Sequence, residues 1–85
     1  MIGSKEQIQN EIESFCTNIL ALRKKCNLTQ RQMARKLHIG VLSLRRLEHG
    51  TIPPRMTVEV LYYINMEFRI GADQMFQENS ITQGR

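Results

Sequence analysis

Basic side chains are concentrated in one part of the chain, where they could neutralise a polyanion. Residues 23–55 hold nine Lys and Arg residues against one acidic residue, Glu48, so this stretch carries a formal charge of +8. Since the whole chain carries +4, the other residues together carry −4. This asymmetry favours a nucleic-acid binder. The alternative that charge alone leaves open is a solvated basic surface without a target.

The basic stretch contains the pattern of a short amphipathic helix. Residues 29–32 form a capping-box sequence, in which the Thr29 hydroxyl accepts from the Gln32 amide and the Gln32 side chain bonds back to Thr29. This motif predicts a helix that begins at Gln30. One face of that helix is apolar, with Met33, Ala34 and Leu37 at helical spacing. The basic side chains therefore face outward.

A second short helix is predicted over 41–48. Leu44 and Leu47 lie three positions apart and share one face. Gly50 would end the helix in a left-handed conformation. The predicted outward residues are Val41, Leu42, Arg45 and Arg46.

Only three residues, 38–40, separate the two helices, so the helices must cross steeply, with Ile39 filling the angle between them. This is a helix-turn-helix arrangement. The residues that carry a family resemblance are Leu28, Thr29, Gln30, Met33, Ala34, Leu37, Ile39, Leu44, Leu47, Glu48 and Gly50. In these residues the chain resembles the Cro and lambda-repressor family of DNA-binding domains, also called XRE-like. The resemblance runs from about Ile19 to Phe76.

The resemblance implies an all-α, compact five-helix domain whose second motif helix lies in the major groove of DNA, while the first crosses above the backbone. It implies that phosphate and sugar contacts come from Gln30, Arg31, the amides near Gly40, His49 and Arg55. It implies that base contacts come from Val41, Leu42, Arg45 and Arg46, with Ser43 close by. It also implies an internal ion pair between Arg23 and Glu48.

Two departures from the family pattern affect this interpretation. The family commonly has polar residues where Val41 and Leu42 stand, so this pair could pack on thymine methyl groups or on a protein partner. The family commonly has Gly where Asn27, His38 and Arg69 stand. These three residues are therefore expected to hold left-handed conformations that favour Gly.

A long first helix is predicted from about Lys5 to Lys25, opened by a capping-box sequence at Ser4. Its apolar stripe consists of Ile8, Ile12, Phe15, Ile19, Leu22 and Cys26. Compared with the family, this helix is roughly ten residues longer at its N-terminal end. The extra part would either cover the C-terminal helices or pair with a second subunit.

The C-terminal part is predicted to hold two more helices. After an extended segment at Pro53 and Pro54, Thr57 would cap a fourth helix. The predicted inner face of that helix consists of Val58, Leu61, Ile64, Asn65 and Phe68. A short fifth helix would cover 71–76, with Met75 and Phe76 closing the core. We predict one domain over 1–78, with its helix-turn-helix core at 29–49, and a disordered polar tail over 79–85.

Several classes of function find no support in the sequence. Cys16 and Cys26 would be roughly 15 Å apart on one helix, too far for a disulfide. No metal-ligand spacing, phosphate-binding Gly loop or catalytic set is present, so we expect no cofactor and no enzymatic activity. The chain has no membrane-spanning run and its N-terminus does not resemble a signal peptide, so a cytoplasmic, nucleoid-associated protein is expected.

These observations together predict a sequence-specific DNA-binding regulator. We expect a repressor that binds double-stranded DNA as a homodimer, because one small domain offers few base contacts. The alternative is a protein-interaction module on the same fold, such as an antitoxin-like or co-repressor partner. That module would use Val41, Leu42 and the fourth helix.

Overall fold

A computed structural model describes residues 4–52, 58–78 and 80–81, and these residues form an all-helical domain. Its helices are α1 (Ser4–Lys25), α2 (Gln30–Leu37), α3 (Val41–Glu48), α4 (Val58–Phe68) and α5 (Ala72–Met75). The all-α, five-helix prediction is confirmed. The predicted bounds of the first three helices agree with the structure to within one residue. The Ser4 side chain, Pro53, Pro54, Arg55 and Thr57 lie outside the described residues.

The core is formed where α1 and α4 meet the two motif helices. α1 packs on α3 and α5, and α2 packs on both α3 and α4. Thirteen apolar residues are buried in one cluster: Phe15, Cys16, Ile19, Leu22, Met33, Ala34, Leu37, Leu44, Leu47, Val60, Ile64, Met75 and Ile81. Every apolar residue predicted for the inner faces of α2 and α3 is among them. The motif helices are therefore held from behind by the rest of the fold.

The predicted stripe of α1 is buried only in its middle. Phe15, Ile19 and Leu22 lie in the core and Ile12 packs partly against it. Ile8, at the N-terminal end, is 56% exposed, and Cys26 is exposed because the helix has already ended at Lys25. The predicted stripe is thus wrong at its last position, Cys26.

Left-handed residues end three of the helices, as the resemblance implies. Asn27, His38 and Arg69 have φ of 54°, 60° and 58°. At the end of α1 the Leu28 amide donates to the Arg23 carbonyl at 3.0 Å, which closes the helix in a Schellman motif. These three residues hold a left-handed backbone conformation that usually favours Gly. Holding it with a side chain present has a modest energetic cost.

The inner face predicted for α4 is partly wrong. Val60 and Ile64 are buried, whereas Val58 is 77% exposed and Asn65 is also exposed. The helix is apolar on several sides, so its periodicity could not decide which side packs on α2.

Residues beyond the predicted end of the domain also pack. Ile81 is buried and the Ser80 hydroxyl donates to the Gln74 carbonyl, so the predicted polar tail is wrong for these two residues. The segment is held by Asn18, which is fully buried on α1. The Asn18 amide donates to the carbonyls of Met75 and Gln77, at 2.9 Å each.

Candidate nucleic-acid interface

The turn between α2 and α3 is fixed by backbone hydrogen bonds and by core packing. His38 takes the left-handed conformation, and the Ile39 amide donates to the Ala34 carbonyl at 3.0 Å. The Ile39 side chain packs partly against the core, as predicted. The His38 ring also stacks on Tyr63 of α4, with centroids 3.8 Å apart. The angle between the motif helices is therefore braced by a third helix, which the sequence did not predict.

The two motif helices begin differently. At α2 the capping box is present, with Thr29 Oγ1 accepting from the Gln32 amide at 3.0 Å and Gln32 Oε1 accepting from the Thr29 amide at 2.9 Å. At α3 the N-cap is Gly40, which is exposed and supplies no side-chain bond. An N-terminus without a side-chain cap leaves amide donors available to an anion such as phosphate.

The outward surface of α3 differs from its prediction at one residue. Leu44 and Leu47 are buried, while Arg45 and Arg46 are exposed and Leu42 is 59% exposed. Val41, predicted to face outward, is half-buried and packs against the core, as its position at the tight turn allows. Ser43 is also half-buried. The exposed base-contact candidates are therefore Leu42, Arg45 and Arg46.

An ion pair joins the end of α3 to α1. Arg23 Nε donates to Glu48 Oε2 at 2.6 Å and Arg23 Nη2 donates to Glu48 Oε1 at 3.1 Å, so the pair is bidentate. The two side chains are 17% and 5% exposed. Arg23 Nη1 also donates to the Leu28 carbonyl at 3.1 Å. This pair, implied by the resemblance, is present and fixes α3 to the scaffold.

Gln30, predicted to contact phosphate, is hydrogen-bonded to two side chains of α3. Its Nε2 donates to Glu48 Oε1 at 2.9 Å, and its Oε1 accepts from Arg45 Nε at 3.2 Å. The side chain is half-buried and connects the start of α2 to α3, which carries both of its partners. Sequence reasoning missed this contact, because residues fifteen apart give no local signal.

The other described residues predicted to contact the DNA backbone lie at the start of α2 and at the end of α3. Arg31 is exposed on the first turn of α2, and His49 is exposed as the C-cap of α3. Gly50 has φ of 96° and the Thr51 amide donates to the Arg46 carbonyl at 2.8 Å, which confirms the predicted left-handed end. Arg55 lies outside the described residues.

Most of the basic side chains in the described part of 23–55 have no acidic partner there. Arg23 pairs with Glu48, and Lys36 lies 3.4 Å from Glu67 in a partly exposed pair. The exposed cations without a described ion pair are Lys24, Lys25, Arg31, Arg35, Arg45 and Arg46. This positive charge is not neutralised within the described chain, so it is available to an anionic ligand.

Comparison with known families agrees with this geometry. A family model described as helix-turn-helix matches residues 19–59, which covers the end of α1, both motif helices and the start of α4. Residues 19–59 therefore resemble helix-turn-helix domains of the Cro and lambda-repressor type. Members of this family bind DNA, and the match supports DNA binding by this helix-turn-helix. No curated protein and no solved structure gives a significant match to the chain.

The described residues hold neither a candidate metal site nor a candidate membrane-spanning helix. No three His, Cys, Asp or Glu side chains within 4–52, 58–78 and 80–81 come together where they could hold a metal ion. No helix in the same residues is long and apolar enough to span a membrane.

Proposed function

We propose that this helix-turn-helix protein is a sequence-specific transcriptional regulator that inserts α3 into the major groove of DNA. The observation that carries the proposal is the division of α3 into two faces. Leu44 and Leu47 anchor it in the core, while Leu42, Arg45 and Arg46 extend into solvent. An Arg can bond guanine O6 and N7 together, and a Leu can pack on a thymine methyl group.

The charge around α3 supports the non-specific part of binding. Exposed cations on α2 and α3 would neutralise phosphates, which raises affinity for any sequence and makes it depend on salt. We propose that Arg31, His49, Arg55 and the amides near Gly40 contact the sugar-phosphate backbone. Such contacts fix the position of α3 without distinguishing bases.

We further propose that the protein acts as a homodimer and as a repressor. One α3 reaches only a few base pairs, and a two-fold dimer doubles that number on an inverted repeat. A DNA-bound domain excludes other proteins from its site without further contacts, so repression is the simplest mode of action.

A second candidate function rests on exposed apolar side chains. Leu42 lies exposed on α3, and one side of α4 exposes Val58, Tyr62 and Met66 by 77%, 58% and 54%. Large apolar patches often mark protein contacts. These exposed side chains support the alternative of an interaction module that binds a protein partner instead of DNA.

The test is a selection of binding sequences from a random duplex library at near-physiological salt. The proposal predicts an inverted repeat with half-sites about one helical turn apart. Arg46→Ala should then weaken the selected site by about 1 to 3 kcal/mol and relax one base position. Arg31→Ala should weaken all sequences alike and reduce the salt slope by about one unit.

Two results would count against the proposal. If no sequence is enriched, α3 does not select bases, and the apolar surface becomes the place to seek a protein partner. If Arg46→Ala weakens selected and random DNA equally, Arg46 contacts only the backbone. Leu42→Gln separates the candidates, because a DNA reader loses preference at one base position, whereas an interaction module has no preference to lose.

A further inference from the structure

A chain of hydrogen bonds connects the scaffold to one exposed arginine of α3. Arg23 holds both oxygens of Glu48, and Glu48 Oε1 accepts from Gln30 Nε2 at 2.9 Å. Gln30 Oε1 in turn accepts from Arg45 Nε at 3.2 Å. Four side chains from α1, α2 and α3 are thereby linked, and the last of them points to solvent.

The chemistry of Glu48 decides which way the Gln30 amide is turned. An ionised carboxylate only accepts hydrogen bonds, so the Gln30 group that faces it must be the NH₂ group. The Gln30 carbonyl oxygen is then directed at Arg45, whose guanidinium only donates. Each link therefore has one allowed direction, and the Arg23–Glu48 pair sets the direction of the whole chain.

The bond occupies only part of the Arg45 guanidinium. Its Nε is held by Gln30, while Nη1 and Nη2 make no hydrogen bond or ion pair with the described residues. These two nitrogens can donate together to guanine O6 and N7. Arg46, its neighbour, makes no side-chain hydrogen bond or ion pair within the described chain. Arg45 thus enters a complex with part of its conformational freedom already lost, and Arg46 does not.

We propose that Gln30 is a positioning residue that orients Arg45 for recognition of one G·C base pair. The inference rests on the proposed DNA-binding function and deepens it. Gln30 would act on base preference through Arg45, in addition to any phosphate contact of its own. Glu48 is needed for the same positioning, because without it the Gln30 amide could turn and present its NH₂ group to Arg45.

The test compares the base preferences of three single variants and one double variant on the sequence selected by the wild-type protein. Arg45→Ala identifies the base pair that Arg45 recognises, where discrimination should fall by roughly 5- to 150-fold. Gln30→Ala should reduce discrimination at that same base pair by about 2- to 10-fold, since Arg45 must then be ordered on binding. Adding Gln30→Ala to Arg45→Ala should not reduce base discrimination further. Gln32→Ala is the matched control. Gln32 is on the same helix, but its side-chain oxygen accepts from the Thr29 amide at the N-cap.

A readout on the free protein excludes a purely structural role. In a nitrogen-15 NMR spectrum the Arg45 Nε–H resonance should be protected from solvent exchange in the wild type and in Gln32→Ala, and lose that protection in Gln30→Ala. An unprotected wild-type resonance would show that the bond is absent in solution and would overturn the proposal.

The remaining outcomes separate this inference from the proposed function. If the wild type enriches no sequence, DNA recognition itself fails and the inference fails with it. If the wild type enriches a site but Gln30→Ala weakens all sequences alike, Gln30 contacts only phosphate. Loss of preference at a base pair other than that of Arg45, or at none, would also overturn the positioning role.

Discussion

Replacing Glu48 with Gln should destabilise the domain more than any exposed charge change. Glu48 accepts three hydrogen bonds, from Arg23 Nε at 2.6 Å, Arg23 Nη2 at 3.1 Å and Gln30 Nε2 at 2.9 Å. A Gln side chain has one acceptor oxygen and an NH₂ group that only donates. Whichever way it turns, at least one of these donors faces another donor, and the Arg23 charge loses its partner.

The magnitude follows from burial. The Glu48 side chain is 5% exposed and Arg23 is 17% exposed, so solvent replaces the lost bonds poorly. A hydrogen bond to a charged group contributes about 1.5 to 3 kcal/mol, and breaking a fully buried ion pair costs about 3 to 5 kcal/mol. Because Arg23 retains some contact with water, we expect a loss of about 2 to 4 kcal/mol. An 85-residue domain has a total stability of only about 4 to 13 kcal/mol.

The assay is urea denaturation followed by far-ultraviolet circular dichroism, with Glu67→Gln as the matched control. Glu67 makes the same kind of pair with Lys36, but at 3.4 Å and with side chains 36% and 41% exposed. That change should cost less than about 1 kcal/mol. Equal losses for Glu48→Gln and Glu67→Gln would refute the argument that burial and bidentate geometry make the Arg23–Glu48 pair important.

Three further outcomes are expected. Thr29→Ala should lower the free energy of unfolding by about 1 kcal/mol through loss of the cap, measured in the same urea assay, and an unchanged midpoint would contradict the capping role. Asn18→Ala should release the C-terminal segment, so hydrogen exchange should become faster for residues 75–81 than for α2; uniform acceleration would show only global destabilisation. Cys26 should react with a thiol reagent in the folded protein while Cys16 reacts only on unfolding, because burial, together with the Glu13 charge, raises the pKa of the Cys16 thiol. Equal rates for the two thiols would contradict the packing of α1.

Local patterns predicted the motif because its signals lie close together in sequence. The capping box at Thr29 spans four residues, and the faces of α2 and α3 follow directly from helical spacing. The left-handed residues Asn27 and His38 were predicted from the family resemblance. In these cases the physical cause and the sequence signal involve the same few residues.

The rest depends on contacts between distant parts of the chain. Nothing near Asn18 shows that its amide would hold carbonyls 57 and 59 positions away. For α4, which is apolar on several sides, helical spacing placed Val58 rather than Val60 on the inner face, whereas the structure buries Val60 and exposes Val58. The bond between Gln30 and Arg45 likewise exists only because α2 and α3 cross at the angle set by the turn.

We propose above that α3 binds bases in the major groove. The most direct test of this proposal measures the affinity of the wild-type protein for the selected duplex after 7-deazaguanine replaces single guanines, which removes the N7 acceptor from the major groove and leaves the minor groove unchanged. We predict a loss of about 1 to 3 kcal/mol at guanines that Arg45 or Arg46 contacts, and none at the others. Unchanged affinity at every guanine, with uracil in place of thymine also without effect, would contradict the major-groove account.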